Sequence, residues 1–305
     1  MENLIRINVL NIKINNVIIK NIKLFFLLMV IKMRIKKEND NIILEDAECF
    51  DIAFSLDCGQ AFRWKNIKDN IWTGVVKNKY LKIEQKENKI IFYNTSLEDF
   101  NLLWKEYFDL DRDYKKILDS YDDESLLTAC KEYYGIRILK QDEWETVCSF
   151  IISQNNNIPR IKGIIERLCE NFGENIGEGY SFPSAEKIAS LKLEDLDVLR
   201  AGFRSKYILD AAQKISSKEV DIEKLKEMNF EDAKQELIRI KGVGEKVAQC
   251  SLLYGFGRIE GFPQDVWVKR IVSELYPDGL PECIKGTEGI AQQYLFHWRR
   301  NLENL

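Results

Sequence analysis

Glu231-Asp232-Ala233-Lys234-Gln235-Glu236-Leu237-Ile238-Arg239-Ile240-Lys241-Gly242-Val243-Gly244-Glu245-Lys246 is the stretch that decides the fold. Ala233, Leu237 and Ile240 fall on one helical face, the helix breaks at Lys241-Gly242-Val243-Gly244, and a second helix opens at Glu245. Two glycines around one apolar residue let the turn be very tight and leave backbone N–H groups uncovered at a helix N-terminus. Such a corner can hold a phosphate oxygen without any basic side chain. The same residues also fit a plain helical corner with a glycine C-cap. Lys246, in the first turn of the second helix, reads equally as a phosphate contact or a solvated lysine.

Composition narrows the chemistry. The 305 residues, 45% of them hydrophobic, suffice for a sizeable core. Seven cysteines at 49, 58, 130, 148, 169, 250 and 283 form no CxxC pair, so a reduced, cytoplasmic protein is expected. The single histidine, His297, removes Ser-His-Asp triads, Cys-His pairs and His-rich metal sites. Catalysis must then use lysine, carboxylates or backbone dipoles. The net charge of −4 runs against a nucleic-acid partner, and residues 1–32, with five bases and one acid, leave about −8 for the remainder. Any phosphate binding has to be local, and the glycine hairpin supplies a place for it.

The first 36 residues read as an N-terminal extension rich in Ile, Asn and Lys, with translation starting at Met33 as a working hypothesis. Its apolar run, Leu24 to Ile31, is far shorter than the ~20 residues that span a bilayer. From Gln60 to Asn94, runs such as Ile71-Trp72-Thr73-Gly74-Val75-Val76 and Ile90-Ile91-Phe92-Tyr93 alternate with turn signals at Asp69-Asn70, Asn78-Lys79 and Glu87-Asn88. These predict an antiparallel meander. Beyond Ser96 the period becomes helical: Trp144, Val147, Cys148, Ile151 and Ile152 share a face, as do Ile161, Ile164, Ile165, Leu168 and Phe172. The expected fold is α+β, with a small antiparallel β-rich domain over 37–134 and a mostly helical domain over 135–305.

Asp265 lies in Gly261-Phe262-Pro263-Gln264-Asp265-Val266-Trp267, at the start of another helix. It can cap that helix and also face the hairpin if the chain doubles back. Hairpin, Lys246 and Asp265 together resemble the helix-hairpin-helix, Gly-Pro-Asp superfamily of base-excision DNA glycosylases, with Gln264 a mild departure from the pattern. Members with a lysine at this position cleave both the glycosidic bond and the backbone, so the resemblance implies Lys246 as nucleophile and Asp265 as its partner. Some members carry a four-cysteine iron–sulfur loop after this region; only Cys283 follows Asp265. Neither a cluster, a metal nor any other cofactor is expected.

Further motifs are similar to those of 8-oxoguanine DNA glycosylases, over roughly residues 40–300. In Cys58-Gly59-Gln60-Ala61-Phe62-Arg63-Trp64, Gly59 matches the glycine whose carbonyl accepts the N7 proton that oxidised guanine has and guanine lacks. Guanine would set two acceptors against each other in a dry pocket. The resemblance implies Cys250 and Phe296 on the two faces of the flipped base and Gln292 at its Watson–Crick edge. It further implies Asn155, Arg160 and Arg204 at the cytosine left unpaired, and Asn157 on the DNA. Phe203 matches a wedge that is usually tyrosine. The resemblance also implies Gly242, Val243 and Gly244 at phosphate, and Trp267 there in place of the family's histidine.

The implied activity is excision of 8-oxoguanine opposite cytosine from duplex DNA through a lysine Schiff base and β-elimination. A monomer acting in a bacterial-type cytosol, associated with the nucleoid and not with a membrane, is expected. Two other readings stay open at this point. A non-catalytic helix-hairpin-helix DNA-binding protein would need the hairpin alone, and a glycosylase for another damaged base, of the alkylated type, would keep Asp265 without the lysine.

Overall fold

The computed structural model describes residues 33–47 and 49–302. The N-terminal run Leu24 to Ile31 lies outside these residues, as does all of the extension before Met33, so the proposed start site receives no structural account.

Six antiparallel strands, β1 (Arg34–Glu38), β2 (Asn41–Glu45), β3 (Trp64–Lys68), β4 (Ile71–Val76), β5 (Lys79–Lys86) and β6 (Lys89–Tyr93), form one sheet in the order β1-β2-β6-β5-β4-β3. The expected meander is its β3-to-β6 part. Two differences stand out. Of the run Ala61 to Trp64 only Trp64 lies in a strand, as the first residue of β3, and β1 begins at Arg34, so the sheet takes in residues assigned to the extension. Two-residue turns place Asn39, Asn70, Lys77 and Glu87 at φ of 53°, 56°, 53° and 53°, the left-handed geometry that matches the twist of tight hairpins. Ile42, Leu44, Trp64, Leu81, Ile83, Ile90 and Phe92 project from the sheet into a core shared with Phe100, Trp104 and Phe108.

Helix α1 (Ile52–Leu56) buries Ile52 and Leu56 in this sheet core; the longer helices of the second core are α2 (Glu124–Glu132), α3 (Glu143–Ser153), α4 (Ile158–Phe172), α5 (Arg204–Ser216), α6 (Phe230–Ile238), α7 (Glu245–Gly255), α8 (Val266–Leu275) and α9 (Glu288–Leu302). Trp144 through Ile152 are buried without interruption, which marks α3 as the central helix. The cores do not divide at residue 134: Tyr114, Leu118, Leu126 and Cys130 pack into the helical core.

One fully buried side chain fixes the joint from which Gly59 projects. Gln60 Nε2 donates to the carbonyls of Ser55 (2.9 Å) and Arg137 (2.8 Å), while Oε1 accepts from Leu139 N–H (2.9 Å). Arg137 is itself buried between Phe50 and Tyr114 and donates to the carbonyls of Cys49 and Asp109. The α1–β3 connection is therefore bolted to the chain that leads into α3. The architecture is α+β: an N-terminal antiparallel sheet followed by a mostly helical unit.

Candidate active site

Five segments of the chain converge on one small pocket. The α1–β3 connection brings Cys58 and Gly59, α3 brings Phe150, α7 brings Lys246, Cys250 and Tyr254, the loop into α8 brings Pro263 and Asp265, and α9 brings Gln292, Gln293 and Phe296. All six residues expected in catalysis or base binding, Lys246, Asp265, Gly59, Cys250, Gln292 and Phe296, line it together.

Lys246, Cys250 and Tyr254 recur every four residues on α7, so one helix stripe faces the pocket. Lys246 Nζ lies 3.4 Å from Ser153 Oγ and 5.1 Å from the Phe150 ring centroid. Phe150 in turn stacks on Tyr254 at 5.3 Å and 16°. Burial raises the Cys250 thiol above its ordinary range, against the opposing pull of Lys246 beside it. The thiol stays protonated and apolar, suited to packing against a base. Asp265 caps α8, with its carboxylate accepting from Val268 N–H at 2.8 Å. Capping and pocket lining coexist in the one carboxylate, as the sequence permitted.

Gly59 has φ of +84°, and a Cβ there would lie 3.5 Å from the Phe296 ring. Backbone and ring approach closely across the pocket, a geometry that favours glycine. Gln292 is only 4% exposed. Beside it, Tyr254 Oη donates to Gln293 Oε1 at 2.6 Å, and Gln293 Nε2 donates to the Cys58 carbonyl at 3.0 Å.

The residues expected at DNA lie around the α3–α4 joint, the start of α5, the hairpin and the first turn of α8. Asn155, Asn157 and Arg160 are exposed. Asn155 sits at φ of +46°, and Asn157 caps α4 by accepting from Arg160 N–H at 3.0 Å. Phe203 is 48% exposed and packs edge-on against Tyr207 at 5.8 Å. A Cβ on Gly242, at φ of +83°, would come within 2.4 Å of that same Tyr207 ring. Phe203 and the hairpin are thus held together through one aromatic. Gly244 caps α7 with no side-chain hydrogen bond and has open space in front of it. Trp267 is half-buried under the Arg270 guanidinium, 5.4 Å from the ring.

Two of these residues are placed differently from expectation. Val243 is 5% exposed and belongs to the helical core, and its N–H donates to the Ile240 carbonyl at 3.0 Å. It plugs the hairpin rather than facing phosphate, because the apolar residue between the glycines has a core to fill. Arg204 is 2% exposed. Its Nε donates to the Gln154 carbonyl (3.0 Å), which Nη2 also reaches; Nη2 donates to Asn155 (2.8 Å) and Nη1 to Ala201 (3.2 Å). In this conformation its donors are spent on the asparagine loop instead of being offered to a base.

Residues 42–147 match the model of the 8-oxoguanine DNA glycosylase N-terminal domain, and residues 148–280 match that of the HhH-GPD superfamily base excision DNA repair proteins. The chain belongs to the HhH-GPD superfamily of base excision DNA repair proteins. A superfamily relative, the N-glycosylase/DNA lyase of Saccharomyces cerevisiae, is 34% identical over 259 residues, which is 74% of this chain and 68% of the yeast protein. The structure of MBOgg1 in complex with a low affinity DNA ligand aligns at a TM-score of 0.83 and 40% identity, covering 89% of this chain and 99% of that one. The Clostridium acetobutylicum 8-oxoguanine glycosylase/lyase, in complex with double-stranded DNA containing cytosine opposite 8-oxoguanine, aligns at 0.83 and 34%, covering 90% and 100%.

The sequence motifs of this superfamily member did not single out Phe150, Tyr254, Pro263, Gln293 or Cys58 in the pocket. A signal for Tyr254 was present, since it continues the four-residue repeat of Lys246 and Cys250. Phe150 lies on a helix buried throughout, where no face distinguishes a pocket residue from a core one.

Proposed function

We propose that the protein is a bifunctional DNA glycosylase and AP lyase that excises 8-oxoguanine opposite cytosine from duplex DNA. The observation that carries this reading is the single pocket in which Lys246 and Asp265 stand with Gly59, Cys250, Gln292 and Phe296. A flipped nucleotide, extruded at a cost of about a few kcal/mol, would place its base between Cys250 and Phe296 and its sugar at Lys246. The Gly59 carbonyl would accept the N7 proton of the oxidised base.

The Lys246 amine attacks C1′ and gives up a proton as the N–C bond forms, while the glycosidic bond breaks with its electron pair leaving on the base, which takes up a proton. Asp265 stabilises the positive character that develops at the sugar. Ring opening gives a Schiff base on Lys246, whose electron-withdrawing iminium permits loss of the 3′ phosphate by β-elimination. Lysine and carboxylate carry both steps, and we assign no metal, iron–sulfur cluster or other cofactor to them. Phosphate is anchored by the amides at Gly242 and Gly244 and at the start of α7, where the helix dipole favours an anion. Such an anchor suits a chain of net charge −4. The opposite cytosine is assigned to Asn155 and Arg160, with Arg204 turning outward once DNA replaces its loop contacts. Action as a monomer on DNA in the cytosol completes the proposal. Among the described residues no helix is long and apolar enough to cross a membrane.

A non-catalytic DNA-binding role leaves the convergence of Lys246 and Asp265 unexplained, and an alkylated-base enzyme has no use for the lysine. Single-turnover assays on duplexes carrying 8-oxoguanine opposite cytosine and opposite adenine test the proposal. Faster excision opposite cytosine, with a strand nicked at the lesion, is the expected result. Equal rates would remove the partner-base reading, and an intact strand would remove the activity.

A further inference from the structure

Gln292 can read a base only if its amide is fixed one way round, because its two ends offer opposite hydrogen-bond character. The structure contains a chain of groups that fixes it. The Cys58 carbonyl can only accept, so the Gln293 amide must present Nε2 to it, as the 3.0 Å contact has it. Gln293 Oε1 is thereby turned toward Tyr254, whose hydroxyl lies 2.6 Å away. Burial pushes the Tyr254 phenol well above its ordinary range, so the hydroxyl keeps its one proton and gives it to Gln293. What Tyr254 has left for Gln292 is a lone pair. Gln292 Oε1 lies 3.5 Å from that oxygen, and turning the amide over replaces an acceptor facing an acceptor with an Nε2 donor.

We infer that the relay from the Cys58 carbonyl through Gln293 and Tyr254 sets the polarity of Gln292, leaving Oε1 as the acceptor that faces the base. Tyr254 and Gln293 are positioning residues, acting through Gln292. An acceptor at that point favours a Watson–Crick edge with an N–H at position 1, as in 8-oxoguanine, and opposes 8-oxoadenine, whose N1 is itself an acceptor. The inference rests on the base-excision reading above. It adds that base choice depends on a backbone carbonyl that the base does not touch at its Watson–Crick edge.

The test uses the full chain with three duplexes, bearing 8-oxoguanine, 8-oxoadenine or a preformed abasic site. Strand cleavage at the abasic site needs Lys246 but reads no base, so it normalises for folding and for the nucleophile. Tyr254→Phe and, independently, Gln293→Leu are each expected to lower the ratio of 8-oxoguanine excision to abasic cleavage by about tenfold, the worth of one hydrogen bond. The preference for 8-oxoguanine over 8-oxoadenine should narrow with it. If Tyr254→Phe does not fold, Gln293→Leu gives the same readout. Ratios within about threefold of wild type in the folded variants, a loss too small for one hydrogen bond, overturn the relay. A wild-type protein that cleaves the abasic duplex and leaves 8-oxoguanine in place contradicts the substrate reading itself, a result distinct from failure of the variants alone.

Discussion

Arg204 donates through Nη2 to the carbonyl of Asn155 at 2.8 Å, and Asn155 is held at φ of +46°. A buried guanidinium thus keeps an exposed asparagine in the left-handed conformation that the α3–α4 joint requires. Asparagine tolerates that region better than most residues. Arg204→Ala leaves the carbonyls of Gln154, Asn155 and Ala201 without this donor and should cost about 2–4 kcal/mol. A lysine cannot bridge the three carbonyls as the planar fork does, so Arg204→Lys should recover little of the loss. Urea denaturation of both variants gives the stability, and excision opposite cytosine against adenine should lose its difference in the same proteins.

The two hairpin glycines should separate folding from DNA binding. At Gly242 a methyl group meets the Tyr207 ring at 2.4 Å on a backbone with φ of +83°, so Gly242→Ala should destabilise the fold by roughly 2–4 kcal/mol. At Gly244, φ is −106° and nothing lies within 4 Å. Gly244→Ala should therefore melt within a few degrees of wild type yet bind duplex DNA more weakly, its methyl standing where phosphate approaches. Calorimetry and a fluorescence titration with duplex DNA on the two variants distinguish the outcomes.

His297, the one histidine, gives a pH signature that can be isolated. Burial and the nearby Arg300 push its pKa down to about 4, and it packs edge-on against Tyr133 at 4.5 Å. The unfolded chain therefore takes up a proton near pH 6.5 that the folded chain refuses until about pH 4. Stability is lost as pH falls through this window, by an order-of-magnitude total of about 3 kcal/mol from this group. Melting His297→Phe and wild type in parallel from pH 7.5 to pH 5 should show the variant losing less. Parallel curves would contradict the assignment.

The sequence made the β3-to-β6 meander readable because its turns carry Asp69-Asn70 and Glu87-Asn88 between alternating strands. It concealed β1, whose Arg34, Ile35, Lys36, Lys37 and Glu38 are all exposed and so show no alternation. Six residues that line the pocket, Lys246, Asp265, Gly59, Cys250, Gln292 and Phe296, were picked out through the motifs they share with a known family. The loop contacts of Arg204 were not legible because its chemistry suits a base and three carbonyls equally, and only burial shows the second use. Gln293 was overlooked because its role depends on the Cys58 carbonyl, 235 positions away in sequence. No local pattern encodes that contact.

The central claim is that Lys246 forms a covalent bond to the sugar, and borohydride reduction during turnover tests it most directly. With a duplex carrying 8-oxoguanine opposite cytosine, the wild-type protein should be trapped as a covalent protein–DNA adduct, and Lys246→Gln should give none. An adduct undiminished in Lys246→Gln, or no adduct from the wild-type protein while it cleaves the strand, would contradict the account.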